Sequence, residues 1–319
     1  MTSIRFLSAA QVRGLLEPIE LRSALEAALI AQSQGHADVP PRIAAAAPLG
    51  LLAAMPGFLQ SGEQGVLATK LVAIFPDNVD VPSHQGVIVY FDASTGTPMA
   101  VMDAEVVTED RTAMTAAIAA DRLASAEASV LTIVGAGAQG RAHLRAFAEL
   151  RPWAEIRVVS RDQARARALV DDGSRLGTDV AISAPTELDA AVRTADVVTL
   201  CTHAGEAVID ADWVTAGAHL SSVGSQAELP RVLVGVGPLV VDHLGAVTTP
   251  PPAGAVELQG VDPGSVIELG ALLAGAPGRT SRDEITVYKS TGHAVQDLAA
   301  AELVHNRAVA RAIGTIVEL

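Results

Sequence analysis

The stretch VLTIVGAGAQGRAHLRAF, from Val130 to Phe147, decides the fold. An apolar run that suits a strand leads into three glycines, and a helical pattern follows them. In that order the first glycine allows a tight turn, the second lets a pyrophosphate approach the backbone, and the third permits close helix packing. The N–H groups at the helix N-terminus then favour phosphate. We predict a dinucleotide-binding turn made by Gly135, Ala136, Gly137, Ala138, Gln139 and Gly140.

Strand-like and helix-like segments alternate on the carboxyl side of this turn, as in IRVVSRD, ARARALVDD, ELDAAVRTA and DVVTLCT. Such alternation predicts an α/β fold with a Rossmann-type, doubly wound parallel sheet. The three prolines Pro250–Pro252 cannot join a helix interior or a central strand, so an exposed loop is expected there.

The residues after the second strand of this fold indicate which dinucleotide binds. An NAD site places an acidic side chain there to hold the ribose 2′-hydroxyl. This chain has Ser160 and Arg161, which suit a 2′-phosphate because arginine binds phosphate bidentately. Asp162 follows directly and is an alternative ribose ligand. We predict NADP(H) as the cofactor, with NADH the weaker candidate, and no metal site.

The composition is that of a folded globular protein, with 50% hydrophobic and 18% charged residues. A chain of 319 residues exceeds the usual size of one domain, so two domains are expected. The net charge of −14 and the lack of a basic cluster argue against a nucleic-acid partner.

No targeting signal or membrane span is expected. The segment from Met1 to Glu20 carries charges throughout and has no signal-peptide core. The uncharged stretch from Ile43 to Leu59 is interrupted by prolines and glycines, which does not suit a membrane helix. The single cysteine, Cys201, lies in an apolar strand and suits a core residue in a reducing compartment. We therefore expect a cytoplasmic protein.

Lys70 lies within GVLATKLVAIF, a run from Gly65 to Phe75 that is apolar on both faces of a strand. An ammonium group in a covered strand must be paired or must meet water in a cavity. The alternative is a strand end from which the side chain extends into solvent. The segment alone leaves both interpretations open.

Two arginines are similarly isolated. Arg42 enters an apolar strand, and Arg111 follows Thr108, a plausible helix N-cap. A cation in a first helical turn is unfavourable unless it meets nearby acids or an anion. Arg42, Lys70 and Arg111 could therefore converge on a carboxylate.

Several long segments resemble the ornithine cyclodeaminase/mu-crystallin family. They are TKLVAIFPDNVDVPSHQGVIVYFD, AVMDAEVVTEDRTAMTAAIAA, VGAGAQG and ITVYKSTGHAVQDLAAA, and PSHQ and AVMD are most similar to the ketimine-reductase branch. The resemblance implies an NADP-binding domain, residues 114–295, inserted into a smaller α+β domain, residues 1–113 plus 296–319. The smaller domain would bind substrate and form a homodimer, and its last segment would be an amphipathic helix.

The resemblance also implies roles for individual residues. Arg42, Lys70 and Arg111 match residues that hold a substrate carboxylate, and Lys70 would lie beside the reacting carbon–nitrogen bond. For His84, a loop histidine that caps a strand is the alternative to a cofactor contact. The cofactor-contacting positions of the family correspond to Ser83, His84, Gln85, Ser160, Arg161, Thr202 and Ser290.

One departure from the family concerns the loop SSVGSQAELP. Cyclodeaminases and related alanine dehydrogenases carry an aspartate where this chain has Gln226, a candidate substrate contact that cannot titrate. We expect reduction of cyclic ketimine carboxylates, with Arg42 and Arg111 orienting the carboxylate and Lys70 donating a proton. The alternatives are an ornithine or lysine cyclodeaminase, an alanine-dehydrogenase-like amino-acid dehydrogenase, and a non-catalytic NADPH-dependent binding protein.

Overall fold

A computed structural model describes residues 3–62, 65–176, 179–224 and 226–318. The chain forms two compact units, the first made of Met1–Arg111 and His293–Leu319 and the second of Thr112–Gly292. The second unit is inserted in the sequence of the first. The boundaries expected from the sequence lie two residues away at the first junction and three at the second. Substrate binding and dimerisation by the first unit stay predictions.

The helices and strands follow one another along both units. The strands are β1 (Ser3–Leu7), β2 (Ala37–Asp38), β3 (Ile43–Ala47), β4 (Gly50–Leu59), β5 (Val66–Ile74), β6 (His84–Phe91), β7 (Pro98–Asp103), β8 (Val130–Val134), β9 (Glu155–Val159), β10 (Ala181–Ser183), β11 (Val197–Leu200), β12 (His219–Ser222), β13 (Leu239–Val241), β14 (Val266–Glu268), β15 (Thr286–Lys289) and β16 (Thr315–Glu318). The helices are α1 (Ala9–Arg13), α2 (Pro18–Ser33), α3 (Ala104–Leu123), α4 (Ala138–Ala148), α5 (Gln163–Gly173), α6 (Leu188–Arg193), α7 (Gly245–Thr248), α8 (Leu269–Leu273) and α9 (Ala294–Ala310).

The first unit is built on a mixed sheet with the strand order β16-β1-β7-β6-β5-β4-β2, and β3 pairs with β4. The strands β4 to β7 are antiparallel neighbours. Helix α9 packs against β4, β5 and β6, and α2 packs against α9. On β5 the side chains of Val66, Ala68 and Lys70 are buried, whereas those between them are partly exposed. The face that carries Lys70 is therefore part of the core.

The second unit has the strand order β10-β9-β8-β11-β12-β15-β13-β14, and neighbouring strands are parallel throughout. The chain runs outward from β8 through β9 to β10, then returns to β11 on the other side of β8. Because parallel crossovers are right-handed, this reversal puts helices on both faces of the sheet. The predicted α/β fold class is confirmed. The carboxyl ends of β8 and β11 meet at the point of reversal, where such sheets bind ligands.

Helix α3 begins earlier than the sequence pattern indicated. Its first residue is Ala104, and the Asp103 carboxylate accepts a hydrogen bond from the Val106 N–H at 2.9 Å. Asp103 therefore does the work of an N-cap, and the prediction that Thr108 caps the helix is wrong. Arg111 lies two turns inside α3, so the helix terminus does not oppose its charge.

The end of the chain also differs from the expected single helix. Helix α9 ends at Ala310, and β16 then pairs antiparallel with β1. Gly314 has a φ of +106°, and a Cβ at this position would lie 2.8 Å from Leu7 Cδ2. The chain can turn back here because glycine tolerates this backbone conformation and this close approach.

Two other sequence expectations can be compared directly with the structure. The side chains of Pro250, Pro251 and Pro252 are exposed and follow α7, so the predicted loop is confirmed. Within the described ranges, no helix is both long and apolar enough to cross a membrane.

Candidate active site

Lys70 lies in the middle of β5 and is only 4% exposed. The alternative that it extends from a strand end is therefore excluded. Its Nζ atom lies 2.7 Å from Asp297 Oδ2 and 3.4 Å from Thr108 Oγ1. Asp297 is in the first turn of α9, the helix that packs against this strand. The lysine in the apolar strand is thus half of a buried ion pair.

Arg111 joins the same carboxylate from α3. The guanidinium donates a hydrogen bond from Nε to Asp297 Oδ1 at 3.0 Å and another from Nη1 to Gln296 Oε1 at 2.7 Å. A guanidinium only donates, so the glutamine must turn its oxygen towards it. Gln296 Nε2 then stays buried without a hydrogen-bond partner among the residues that the structure describes. An unsatisfied buried donor is costly, and an acceptor from a ligand can relieve that cost.

The charges around Asp297 come from three connected side chains. Lys70 and Arg111 contribute two positive charges, whereas Asp297 contributes one negative charge. Arg42, half-buried just before β3, acts on the cluster as a third cation because its charge helps to lower the pKa of Lys70. Two of the three predicted cations, Lys70 and Arg111, thus converge on a carboxylate of the chain itself, that of Asp297. We name Arg42, Lys70, Arg111, Gln296 and Asp297 the cationic cluster.

Burial lowers the pKa of Lys70 to about 8. The negative charge of Asp297 opposes this shift, whereas the positive charges of Arg111 and Arg42 increase it. Burial alone would raise the pKa of Asp297, but the charges of Lys70 and Arg111 hold it below its usual range. A lysine with a pKa near 8 can exchange a proton near neutral pH.

The predicted dinucleotide turn follows β8 directly. Gly135 has a φ of +118°, and a Cβ there would lie 2.6 Å from the carbonyl oxygen of Cys201. Gly137 is the N-cap of α4 and has no side chain that could cap the helix. Among the described residues, no atom beyond Gly137 and its two chain neighbours lies within 4 Å of the position that a Cβ of this residue would occupy. Because no side chain caps this helix, its first N–H groups suit a phosphate. The turn therefore fits the pyrophosphate of a dinucleotide.

The segment after β9 contains the residues that were expected to select the cofactor. The Asp162 side chain caps α5 by accepting hydrogen bonds from the N–H groups of Ala164 and Arg165. Ser160 Oγ accepts a hydrogen bond from the Asp162 N–H, and Arg161 is exposed. One oxygen of the acidic side chain therefore caps the helix, whereas Arg161 is exposed.

Thr202 follows β11 and is held by a buried acid that sequence reasoning missed. Its N–H and Oγ1 donate hydrogen bonds to Glu228 Oε2 at 2.9 and 2.7 Å. Glu228 Oε1 accepts three more, from Ser222 Oγ and from the N–H groups of Val223 and Gly224. The carboxylate thereby connects the loops after β11 and β12.

Gln226 lies in the loop after β12 and is exposed. Its backbone oxygen is 3.4 Å from Nζ of Lys289, which is fully buried at the end of β15. That ammonium also donates to Ser222 Oγ, the Gly224 oxygen and Glu257 Oε1, at 2.8, 2.5 and 3.0 Å. Lys289 thus anchors the backbone of the loop that presents Gln226.

The remaining predicted cofactor contacts lie in both units. Ser290, directly after β15, donates from Oγ to Asp242 Oδ2 at 2.8 Å. In the first unit, Ser83 Oγ lies 3.1 Å from His84 Nδ1, and Gln85 Nε2 donates to the Pro82 oxygen at 3.2 Å. His84 and Gln85 are exposed at the start of β6. Their contacts with a cofactor stay predictions.

Cys201 contributes no nucleophile to these sites. It is a buried side chain at the end of β11, and burial raises the pKa of its thiol far above the ordinary value. A neutral buried thiol is unreactive, which confirms its interpretation as a core residue.

Gln296 and Asp297 were also missed, although AVQDLAAA was part of the family resemblance. The available signal was an acid and an amide within an apolar helix pattern, since polar groups on a core helix need partners. Nothing in the local sequence indicates which partners these are. Their cations belong to β5 and α3, far away along the chain.

Comparisons with known proteins agree with the fold. Ketimine reductase mu-crystallin from Mus musculus is 36% identical over 313 residues, which cover 94% of this chain and 96% of the relative. Thermococcus litoralis Δ1-pyrroline-2-carboxylate reductase, solved with NADH and L-proline, has a TM-score of 0.90 at 29% identity and covers 98% and 99% of the two chains. An archaeal alanine dehydrogenase dimer with bound NAD has a TM-score of 0.88 at 28% identity, with full coverage of both chains. The family profile matches residues 3–312, and the chain therefore belongs to the ornithine cyclodeaminase/mu-crystallin family.

Proposed function

We propose that the chain reduces cyclic ketimine carboxylates, such as Δ1-pyrroline-2-carboxylate or Δ1-piperideine-2-carboxylate, to cyclic amino acids with NADPH. The observation that carries this proposal is the buried pair of cations, Lys70 and Arg111, that shares the carboxylate of Asp297. The names of the mu-crystallin and pyrroline-carboxylate reductase relatives support the same reaction.

A substrate carboxylate would bring a negative charge to the cationic cluster. It would add a second negative charge beside Lys70 and Arg111, and buried cations are stabilised by opposite charges. The unpartnered Nε2 of Gln296 offers a donor in the same cluster. Arg42 and Arg111 would hold the carboxylate, which fixes the position of the neighbouring C=N bond.

Lys70 is the proposed proton donor. Its ammonium has three N–H groups, but among the described residues only Asp297 and Thr108 accept from it, the latter at 3.4 Å. The cofactor, when bound, supplies the hydride. The imine carbon gains that hydride, the nitrogen gains the proton from Lys70 Nζ, and the double bond becomes a single bond.

The preference for NADPH rests on the loop after β9. Asp162 caps α5 through Oδ1, and its Oδ2 lies 3.2 Å from Arg165 Nε, so both oxygens already have partners in the chain itself. Arg161 is exposed and suits a 2′-phosphate. Replacing Arg161 with serine should weaken NADPH binding about tenfold or more and leave NADH binding unchanged. Isothermal titration with both cofactors measures this, and equal losses for both would contradict the preference.

A homodimer is proposed through the outer face of the first unit's sheet. Ile43, Leu52 and Val87 are exposed, by 69%, 50% and 38%, and their strand registers place them on one face. An exposed apolar sheet face of this kind favours association. Light scattering should find a dimer for the wild type and more monomer for Leu52→Asp. A monomeric wild type would reject the proposal.

The decisive test is turnover of the two ketimines with NADPH, followed by cofactor absorbance and by chiral analysis of the amino acid formed. We expect cyclic amino acid equal to the NADPH consumed. Turnover no faster than the enzyme-free background would reject the proposed function. Ammonia release from ornithine or lysine without net cofactor change would establish a cyclodeaminase. Oxidation of alanine coupled to NAD(P)+ would establish an amino-acid dehydrogenase, and cofactor binding with no turnover would leave a binding protein.

A further inference from the structure

Asp297 occupies an unusual position in the cationic cluster. It is the one acid within hydrogen-bonding distance of Lys70 and Arg111 among the described residues, and it is 2% exposed. Its two oxygens are divided between the two cations: Oδ2 lies 2.7 Å from Lys70 Nζ, and Oδ1 accepts from Arg111 Nε at 3.0 Å. One carboxylate on α9 thus fixes side chains from β5 and α3.

The neighbouring residue completes the attachment of Arg111. Gln296 Oε1 accepts from Nη1 at 2.7 Å, so consecutive residues of α9 bind two different nitrogens of one guanidinium. Two contacts to a planar group fix its orientation as well as its position. The arginine plane is therefore set by the first turn of α9.

We propose that Asp297 is a positioning residue for the proposed reduction: its carboxylate holds Lys70 and Arg111 side by side and keeps the Lys70 ammonium charged for proton donation. This inference rests on the proposed function for the meaning of Lys70, but the contacts themselves do not depend on it. Asp297 would not contact the reacting atoms. It would act through the two cations that do.

The electrostatic part of the proposal follows from the groups that face Lys70. They are Asp297 from α9, Arg111 and Thr108 from α3, and Arg42 from the segment before β3. Asp297 is the sole anion in this set, and the other charged members are cations. Removal of its charge would leave a buried ammonium beside two guanidinium groups, and Lys70 would then release its proton at a lower pH.

The chain offers a direct way to measure this effect, because it contains only two lysines, Lys70 and Lys289. Growth with lysine labelled with carbon-13 at Cε gives two lysine signals in the full-length protein, and Lys70→Arg assigns them by removing one. The pH titration of the Lys70 signal is then compared between the wild type, Asp297→Asn and Glu302→Gln. Glu302 is a matched control, since it is a half-buried acid on the same helix whose partner is Ser61.

We expect the titration midpoint of Lys70 to fall by about one unit or more in Asp297→Asn and to stay unchanged in Glu302→Gln. The high-pH limb of the kcat/KM profile for ketimine reduction should move down by the same amount. A purely structural role for Asp297 would leave the high-pH limb of the kcat/KM profile where it is in the wild type. An unchanged midpoint in folded Asp297→Asn overturns the proposal.

A second variant decides the matter if Asp297→Asn does not fold. Asp297→Glu keeps the charge but displaces the carboxylate, so the Lys70 midpoint should stay near that of the wild type while kcat/KM falls about tenfold or more. A lowered midpoint, or a wild-type kcat/KM, in Asp297→Glu overturns the proposal. If the wild type turns over no ketimine, the proposed function fails, and the lysine titration still tests Asp297 independently.

Discussion

The two lysines of this chain occupy opposite kinds of environment. Lys289, in the second unit, is fully buried and has four oxygen acceptors around its ammonium, one of them from Glu257. Lys70, in the first unit, has an acid at 2.7 Å and one distant hydroxyl, and cations act on it. A lysine whose N–H groups are all satisfied stabilises a fold. A lysine with too few acceptors and too much nearby positive charge is suited to a ligand and to proton transfer.

The largest effect should follow from removal of the Lys70 ammonium. Lys70→Met should lower kcat for ketimine reduction by about a hundredfold to ten-thousandfold, because the proposed mechanism takes the proton from the Lys70 ammonium. NADPH affinity should be retained, and the free energy of unfolding should change little since Asp297 keeps Arg111. Steady-state kinetics, cofactor titration and urea unfolding measure the three quantities. Undiminished turnover would refute the assigned role.

The same replacement at the other lysine should act on stability. Lys289→Met leaves the carboxylate of Glu257 buried without its cation, and this should lower the free energy of unfolding by about 3–5 kcal/mol. Urea unfolding measures the loss. A loss no larger than that of Lys70→Met would break the comparison between the two lysines.

A double replacement sharpens the assignment of Lys289. When Glu257→Gln is added to Lys289→Met, no uncompensated buried charge remains. The double variant should therefore regain about 1 kcal/mol or more of the stability that the single variant lost. A double-mutant cycle from unfolding curves gives the coupling energy. Additive losses would mean that the two side chains do not depend on each other.

The smallest expected effect concerns the pH dependence of kcat/KM. Lys70 has a pKa lowered to about 8, so it is protonated below that pH and loses its proton above it. The kcat/KM for reduction should therefore fall as pH rises through about 8. Lys70→Arg should remove this limb because a guanidinium does not titrate there, whereas the titration of the free imine stays the same in both proteins. If kcat/KM of Lys70→Arg still falls as pH rises through about 8, that fall reports the titration of another group.

The sequence predicted the elements that carry local signals. The glycine turn after β8 and the covered strand with Lys70 could be predicted, because the pattern of residues next to each other in the sequence indicates both. Asp297 and Glu228 were missed because a buried acid is explained only by partners that the fold brings from elsewhere in the chain. The start of α3 was misplaced because the sequence pattern pointed to Thr108 as the cap, whereas Asp103, at the end of β7, has that role. The final strand was missed because its pairing partner is β1, at the other end of the sequence.

The scarcity of lysine has a practical consequence. Both lysine side chains are buried, so the positively charged side chains at the surface are arginines. Amine-directed dyes and cross-linkers therefore find few lysine targets on the folded chain. The pKa of Lys70 is lowered to about 8, so a small electrophile could reach its neutral amine at mildly alkaline pH, whereas the ammonium of Lys289 is enclosed by four oxygen acceptors. Such a reagent would tag the proposed active site selectively.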